Sequence, residues 1–288
     1  MLRSQSGAHA GAWLHAAPHE PGLALDPARM QVALRRRLRL PLPLRPAICG
    51  AARRPGCGGR VDSFGDHEAA CPQAGRLLRR AKPVERAWIR VAREGVGANG
   101  QVVGQQWLAN TTAPGVRPDD RRRLDLVVYG AAARGETLCC DATIVSPLRR
   151  NGAPRPHAAD TDGVALAQAR RLKERTYPEL DGGGTRLVVL GCEVGGCWND
   201  EARRFVSRLA HLRAAQAPPL LRHAVRASFM RRWWGLLSVA VQDALAATTL
   251  GLPLGPLSGC APASAPYDAD VVTLHGTATT PCRLPLRA

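Results

Sequence analysis

Apolar residues recur through Pro83–Arg93 as Val84, Ala87, Trp88 and Val91, the spacing of a helix with one buried face. Gln101 to Leu108 reads as a strand. Leu124 to Tyr129 and Thr137 to Val145 are β-rich runs flanking Gly130–Gly135, which predicts a hairpin. Asp26-Pro27 opens an earlier helix through Met30, Leu34 and Leu38, ended by the Pro41–Pro46 stretch. Downstream, Asp162 caps a predicted helix to about Thr176, and Gly182–Gly184 lead into a strand, Leu187–Leu190. A helix follows from Asp200 to about Ala214, then a helical region from Leu220 to Leu250. This order predicts a mixed α/β core with the last helical region packed on it. The expected divisions are a disordered N-terminus (1–26), a connector helix (27–48), a Cys/His loop (49–75) and the core (83–215). A C-terminal helical region (216–252) and a Pro-, Ala- and Thr-rich disordered tail (253–288) complete the chain. Gly235–Leu252 is apolar enough to suggest a membrane span, but Gln242 and Asp243 at its middle favour a buried helix and no membrane partner.

The formal charge of +17 changes the picture. It comes almost wholly from arginine, since Lys82 and Lys173 are the only lysines among 40 basic residues. Codon bias explains the choice of Arg over Lys but not the excess over acids. DNA is therefore the first partner expected, through its phosphate backbone, with RNA as the alternative. Nine irregularly spaced cysteines do not suit a secreted disulfide scaffold. The N-terminus lacks the apolar run of a signal peptide, although an acid-poor start with Arg3 leaves a mitochondrial leader as an alternative. An intracellular location is expected, nuclear if DNA is the partner; the oligomeric state is not legible.

Two aspartates carry the candidate chemistry. Asp125 lies at the mouth of Arg123-Leu-Asp-Leu-Val-Val-Tyr129, and Asp141 is embedded in the apolar run Cys139-Cys140-Asp141-Ala142. The two are equidistant from Ala133, so a turn centred there sets them opposite each other on one face. Carboxylates that close repel unless a cation lies between them, and oxygen ligands suit Mg²⁺ or Mn²⁺. The alternative is a solvated Asp125 and an Asp141 bonded to an amide. Asp119, before the strand, ranks second as the first acid. Upstream, Cys49, Cys57, His67 and Cys71 offer three thiolates and an imidazole, a tetrahedral Zn²⁺ set. Free cysteines in a glycine-rich loop are the alternative. Arg53, Arg54 and Arg60 lie among these ligands and are placed to grip phosphates.

The strand Arg123-Leu-Asp-Leu-Val-Val followed by Asp141-Ala-Thr-Ile-Val resembles the endonuclease domain of site-specific non-LTR retroelement reverse transcriptases, a branch of the PD-(D/E)XK restriction-endonuclease-like fold. The resemblance covers about residues 30–245 and is specific between Cys57 and Tyr177. It implies a metal-dependent DNA endonuclease with Asp125 and Asp141 as catalytic metal ligands. Arg123-Leu-Asp replaces the usual basic-Pro-Asp triplet, and Thr143 stands where the usual lysine would be. In this branch the lysine sits on the following helix ahead of a tyrosine, which Lys173 and Tyr177 match. The family also carries a Cys-Cys-His-Cys knuckle before the core, matching Cys49, Cys57, His67 and Cys71. Arg79-Arg80-Ala81-Lys82 stands where the family has a basic motif, and Glu85 is a candidate accessory acid against a plain surface role. Trp233 and Trp234 suit the core better than base stacking, and Cys192 and Cys197 are read as bystanders. No polymerase motif is present. A catalytically inactive nucleic-acid-binding relic is the second reading, and a basic structural protein the third.

Overall fold

The computed structural model describes residues 1–44, 47–50, 56–72, 76–132, 134–182 and 184–251. The tail expected at 253–288 and Arg53 and Arg54 lie outside the described residues. In chain order the elements are α1 (Leu2–Ser6), α2 (Pro27–Arg37), β1 (Ala47–Ile48), β2 (Arg60–Val61), α3 (Asp66–Ala70) and α4 (Arg76–Val96). There follow β3 (Gln101–Trp107), β4 (Arg123–Tyr129), β5 (Thr137–Val145), α5 (Val164–Thr176), β6 (Asp181–Gly182), β7 (Thr185–Glu193), α6 (Asp200–Ala215) and α7 (Arg222–Leu250). The fold is mixed α/β. Five strands form one sheet in the order β3-β4-β5-β7-β6, and β1 pairs with β2 in a separate small hairpin. β3, β4 and β5 are antiparallel, whereas β5 and β7 run parallel, joined through α5.

Period-two alternation divides the sheet's side chains between two cores. Val102, Leu126, Val128, Cys140 and Leu190 pack with residues of α4, α6 and α7. Val127, Cys139, Leu187 and Val189 face the opposite way, with Tyr177 at the end of α5 and Leu108 and Ala113 beyond β3. In the larger core Trp198 bridges Trp88 and Trp234, at ring-centroid distances of 5.7 and 5.4 Å. Trp233 and Trp234 are therefore core residues, and Arg232 beside them pairs with Glu20 and Glu94.

Almost every residue of α7 from Trp233 to Thr248 is buried, so the helix is apolar on all sides because protein surrounds it. Its internal acid, Asp243, accepts from Arg29 of α2 at 2.6 Å. Among the described residues no helix is long and apolar enough to cross a membrane.

Three expectations need correction. Residues 1–26 are not disordered. Trp13 is 3% exposed and packs with Ala33 and Val239, its backbone N–H donates to Ser238 Oγ at 3.2 Å, and Leu23 joins the larger core. Their apolar residues show no period because each is spent on other elements, chiefly α7, rather than on a face of a local helix. Secondly, α4 begins at Arg76 and carries Pro83 inside it, rather than beginning at Pro83. Thirdly, α5 is preceded by Gly163 at φ 71°, and Asp162 pairs with Arg3 at 3.0 Å instead of capping the helix.

Removing the Trp13 side chain opens a cavity against α7. Trp13→Ala is expected to cost about 3 kcal/mol in urea unfolding; a loss under about 0.5 kcal/mol would mean the segment is not docked.

Candidate functional site

The acid site grows out of one irregularity in β4. Leu126, Val127 and Val128 pair with Cys140, Cys139 and Leu138, the register that a turn at Ala133 predicts. Continued by one residue, this register sets Asp125 against Asp141. There the ladder breaks, and Asp125 Oδ2 accepts the Ala142 N–H at 2.7 Å. On the other side, the register of β3 sets Gln105 against Asp125, and Gln105 adopts the left-handed conformation, φ 56°. For a residue with a side chain this costs roughly 1–2 kcal/mol. The strand turns over at this point. Leu124 packs in the smaller core and Leu126 in the larger, although residues two apart normally share a face. The break swings Asp125 out of regular alternation and brings its carboxylate to the β5 backbone.

Asp141 is 3% exposed. Lys173 reaches it from α5, with Nζ 2.8 Å from Oδ1 and donating to Oδ2 at 2.9 Å. The ammonium thus spans both oxygens of Asp141, and the Tyr177 hydroxyl is a further hydrogen-bonding neighbour of that carboxylate. Burial, and next the charge of Asp141, push the Asp125 carboxyl from its ordinary 3.8 up to about 7; Glu85 adds to the rise, and Lys173 and the Ala142 N–H oppose it. A carboxyl held short of positive charge beside a second carboxylate is what a divalent cation would satisfy. Asp125 and Asp141 are the two carboxyl groups that could hold such an ion.

Two further residues complete the surroundings. Glu85, 5% exposed on α4, accepts from the Gln105 amide, and Lys82 Nζ lies 3.7 Å from Glu85 Oε2 and 3.1 Å from Gln105 Oε1. The strained Gln105 is thus the link between the lysine and glutamate of α4 and the strand bearing Asp125. No sequence signal singled out Gln105, because its role depends on a backbone conformation. Lys82 had a signal that composition supplied: the only two lysines both stand at this site.

The other expected residues divide. Tyr177 follows α5, its N–H bonded to the Lys173 carbonyl at 2.9 Å and its hydroxyl donating to the Arg123 carbonyl at 3.0 Å. Burial, with Asp141 nearby, raises its pKa, so it is a neutral brace between α5 and β4. Asp119 is exposed, pairs with Arg117 at 3.2 Å and stands outside the cluster. Arg80 is buried, and burial lowers its pKa to about 10; it donates to the Ala69 carbonyl at 2.9 Å, supporting α3 rather than facing a ligand.

Cys49, Cys57, His67 and Cys71 converge, their ligand atoms all within 4.8 Å of one another. The β1–β2 hairpin positions the first two, with Cys49 N–H donating to Gly59 O at 2.9 Å and Gly58 N–H to Cys49 O at 3.0 Å. Asp62, ahead of α3, accepts the Phe64, Asp66 and His67 N–H groups at 2.8, 3.1 and 2.5 Å, which fixes the start of the helix that carries His67. Cys49 and Cys71 sulfurs are 3.8 Å apart, and Cys57 Sγ is 3.5 Å from His67 Nε2. A tetrahedral zinc ion with Zn–S of ~2.3 Å and Zn–N of ~2.0 Å spaces its ligands by about those distances. The Gly59 N–H, chiefly, with Cys71 and Cys49, holds the Cys57 thiol below its ordinary range. His67 Nδ1 lies 2.8 Å from the Arg150 carbonyl. A carbonyl only accepts, so Nδ1 carries the proton and Nε2 keeps its lone pair for a metal. The cluster can hold a zinc ion. It also ties the Cys/His loop to the short hairpin at Leu148–Pro154, which links β5 to α5.

Two outcomes follow. Folding favours protonated Asp125, so in metal-free protein its stabilising contribution is complete below about pH 4 and is lost as pH rises through about 7. Asp125→Asn should flatten that fall in urea-midpoint measurements; identical pH profiles for the two proteins would contradict the assignment. One equivalent of zinc should copurify, and His67→Ala with Cys71→Ser should release it and speed amide exchange across residues 147–155 at least about tenfold. Unchanged exchange there would show the hairpin to be independent of the centre.

The chain matches no protein-family model, no curated protein and no solved structure, so what the site does rests on its own residues.

Proposed function

We propose that this protein is a divalent-metal-dependent endonuclease that hydrolyses phosphodiester bonds of DNA, built on a PD-(D/E)XK-like core with a structural Zn²⁺ knuckle. The observation that carries the reading is the Asp125–Asp141 pair with Lys173 on Asp141. Asp125 and Asp141 would hold Mg²⁺ or Mn²⁺, which when bound supplies a lowered water pKa and charge neutralisation at a phosphate. Lys173 presents a compact ammonium on a helix at the same carboxylate, where it can meet the charge that builds on a phosphate under attack. Glu85, held by Gln105, bounds the site on the α4 side. The charge surrounding the site supports nucleic acid as substrate. A cleft of about 410 Å³ opens beside Lys173, lined by Thr143, Arg155, Gln168, Arg171 and Arg175. Arg155 is fixed there by the Ser146 carbonyl at 2.8 Å, whereas Arg171 and Arg175 are exposed and have no carboxylate partner among the described residues.

The ion pair between Lys173 and Asp141 favours a second reading, since an internal cation already compensates the more buried acid. On that reading the domain binds nucleic acid without cutting it.

Purified protein is expected to nick supercoiled plasmid with Mg²⁺ or Mn²⁺ and to stop on chelation. Asp141→Ala should abolish nicking with DNA affinity largely intact, and Lys173→Ala should slow single-turnover nicking at least tenfold, about 1.4 kcal/mol. Equal nicking by wild type and Asp141→Ala sinks the site assignment; tight DNA binding with no metal-dependent nicking by wild type selects the second reading.

A further inference from the structure

Toward the start of β5, away from Asp141, lies a smaller cavity of about 100 Å³ that the acid site does not use. Leu138 of β5 and Phe205 of α6 form apolar wall, and four guanidinium groups surround it: Arg170, Arg186, Arg204 and Arg208. Its one carboxylate, Glu201, is already committed. One oxygen accepts from Arg170 and the other accepts the Val189 N–H at 2.6 Å. Arg204 Nε reaches only the Asp200 carbonyl, at 3.3 Å, and Arg208 Nη1 only the Ala131 carbonyl, at 3.4 Å. Both contacts are longer than an ordinary N–H···O bond. Arg186 stands on β7, opposite Asp181 in the β6–β7 ladder. Arg204 and Arg208 therefore line one small, partly apolar space at the surface without a carboxylate partner among the described residues.

Arg204 and Arg208 are one turn apart on α6, on one face of the helix, and both line the cavity. Guanidinium forks match the oxygens of a tetrahedral phosphate two at a time, which a random solvated patch does not provide. We propose that this cavity is a phosphate-binding site, separate from the acid site. Its ligand is the phosphate group of either a free phosphate ester or a polynucleotide backbone. Leu138 precedes Asp141 by three residues, about 10 Å at ~3.3 Å per residue. A backbone phosphate a few nucleotides from the acid site would fall within that reach.

The probe is inorganic phosphate, titrated against chloride at constant ionic strength while the melting temperature is followed. Wild type should show a saturable rise. Arg204→Ala with Arg208→Ala should keep its melting temperature in chloride and its zinc content, yet bind phosphate at least tenfold more weakly. Should that double variant melt early, Arg204→Gln and Arg208→Gln singly, each expected to lose several-fold, carry the same test. A second arm measures a duplex oligonucleotide in chloride buffer. Weaker duplex binding with a salt slope reduced by about two, at ~0.9 per phosphate contact, assigns the site to the polynucleotide. Unchanged duplex binding alongside lost phosphate binding assigns it to a free phosphate ester. A non-saturating phosphate response, or an equal response in wild type and variants, overturns the proposal. None of these readouts requires nicking, so failure of the nuclease reading leaves this result intact.

Discussion

Two carboxylates on adjoining strands repel each other, and the ladder between β4 and β5 forces them together. Three ordinary pairs, ending at Leu126 and Cys140, set the register; one step further the ladder stops and the charges meet. Asp125 then spends one oxygen on the Ala142 N–H, and Asp141 takes the ammonium of Lys173. A one-residue slip would exchange the faces of the slipped strand's side chains, so burial of Val127 and Cys139 on one side and Leu126 and Cys140 on the other holds the acids in place. The apolar packing of the sheet thus maintains an electrostatically unfavourable arrangement, and the strain sits in Gln105.

Arginine performs two distinct tasks in this chain. Some guanidinium groups are structural, buried or half-buried. Arg36 donates to the Phe64 carbonyl at 2.7 Å, Arg39 pairs with Asp66 at 2.9 Å and stacks on Phe64, and Arg80 supports Ala69. Together they fasten the Cys/His module to α2 and α4, a role in which several donors in a fixed plane are an advantage. Others, such as Arg171 and Arg175 beside Lys173, face solvent without carboxylates among the described residues. Net charge alone does not separate the two groups. Burial and partners do.

The Cys/His centre also has a mechanical consequence. His67 joins its metal-facing nitrogen to the module and its other nitrogen to Arg150, which lies between the strand of Asp141 and the helix of Lys173. One imidazole thereby connects a local metal fold to the segment that sets α5 against β5. A second brace, the Tyr177 hydroxyl on Arg123, acts at the other end of that helix. Lys173 is positioned from both ends, which suits a cation that must stay on one carboxylate.

Much of this was legible in the sequence because its causes are local. Alternation and turn residues fix the hairpin, its symmetry sets the register that runs up to Leu126 and Cys140, one residue short of the two acids, and the ligand chemistry of Cys49, Cys57, His67 and Cys71 marks the centre. Helical spacing finds α2, α6 and α7 within a few residues, since each buries a continuous stripe or its whole surface. What tertiary structure alone decided lies where the cause is remote. Residues 1–26 have no period of their own, and only α7 and its neighbours give Trp13 and Leu23 a place to be buried. Asp162 has the chemistry of a cap, but Arg3, far away in sequence, pairs with it instead. Gln105 is an ordinary strand residue until the two faces of the sheet must change over at Asp125, and a φ of 56° carries no mark in the amino-acid type. Local pattern determines which elements form and which residues oppose one another; packing between distant segments determines which charges are paired, because only the folded chain brings their partners within reach.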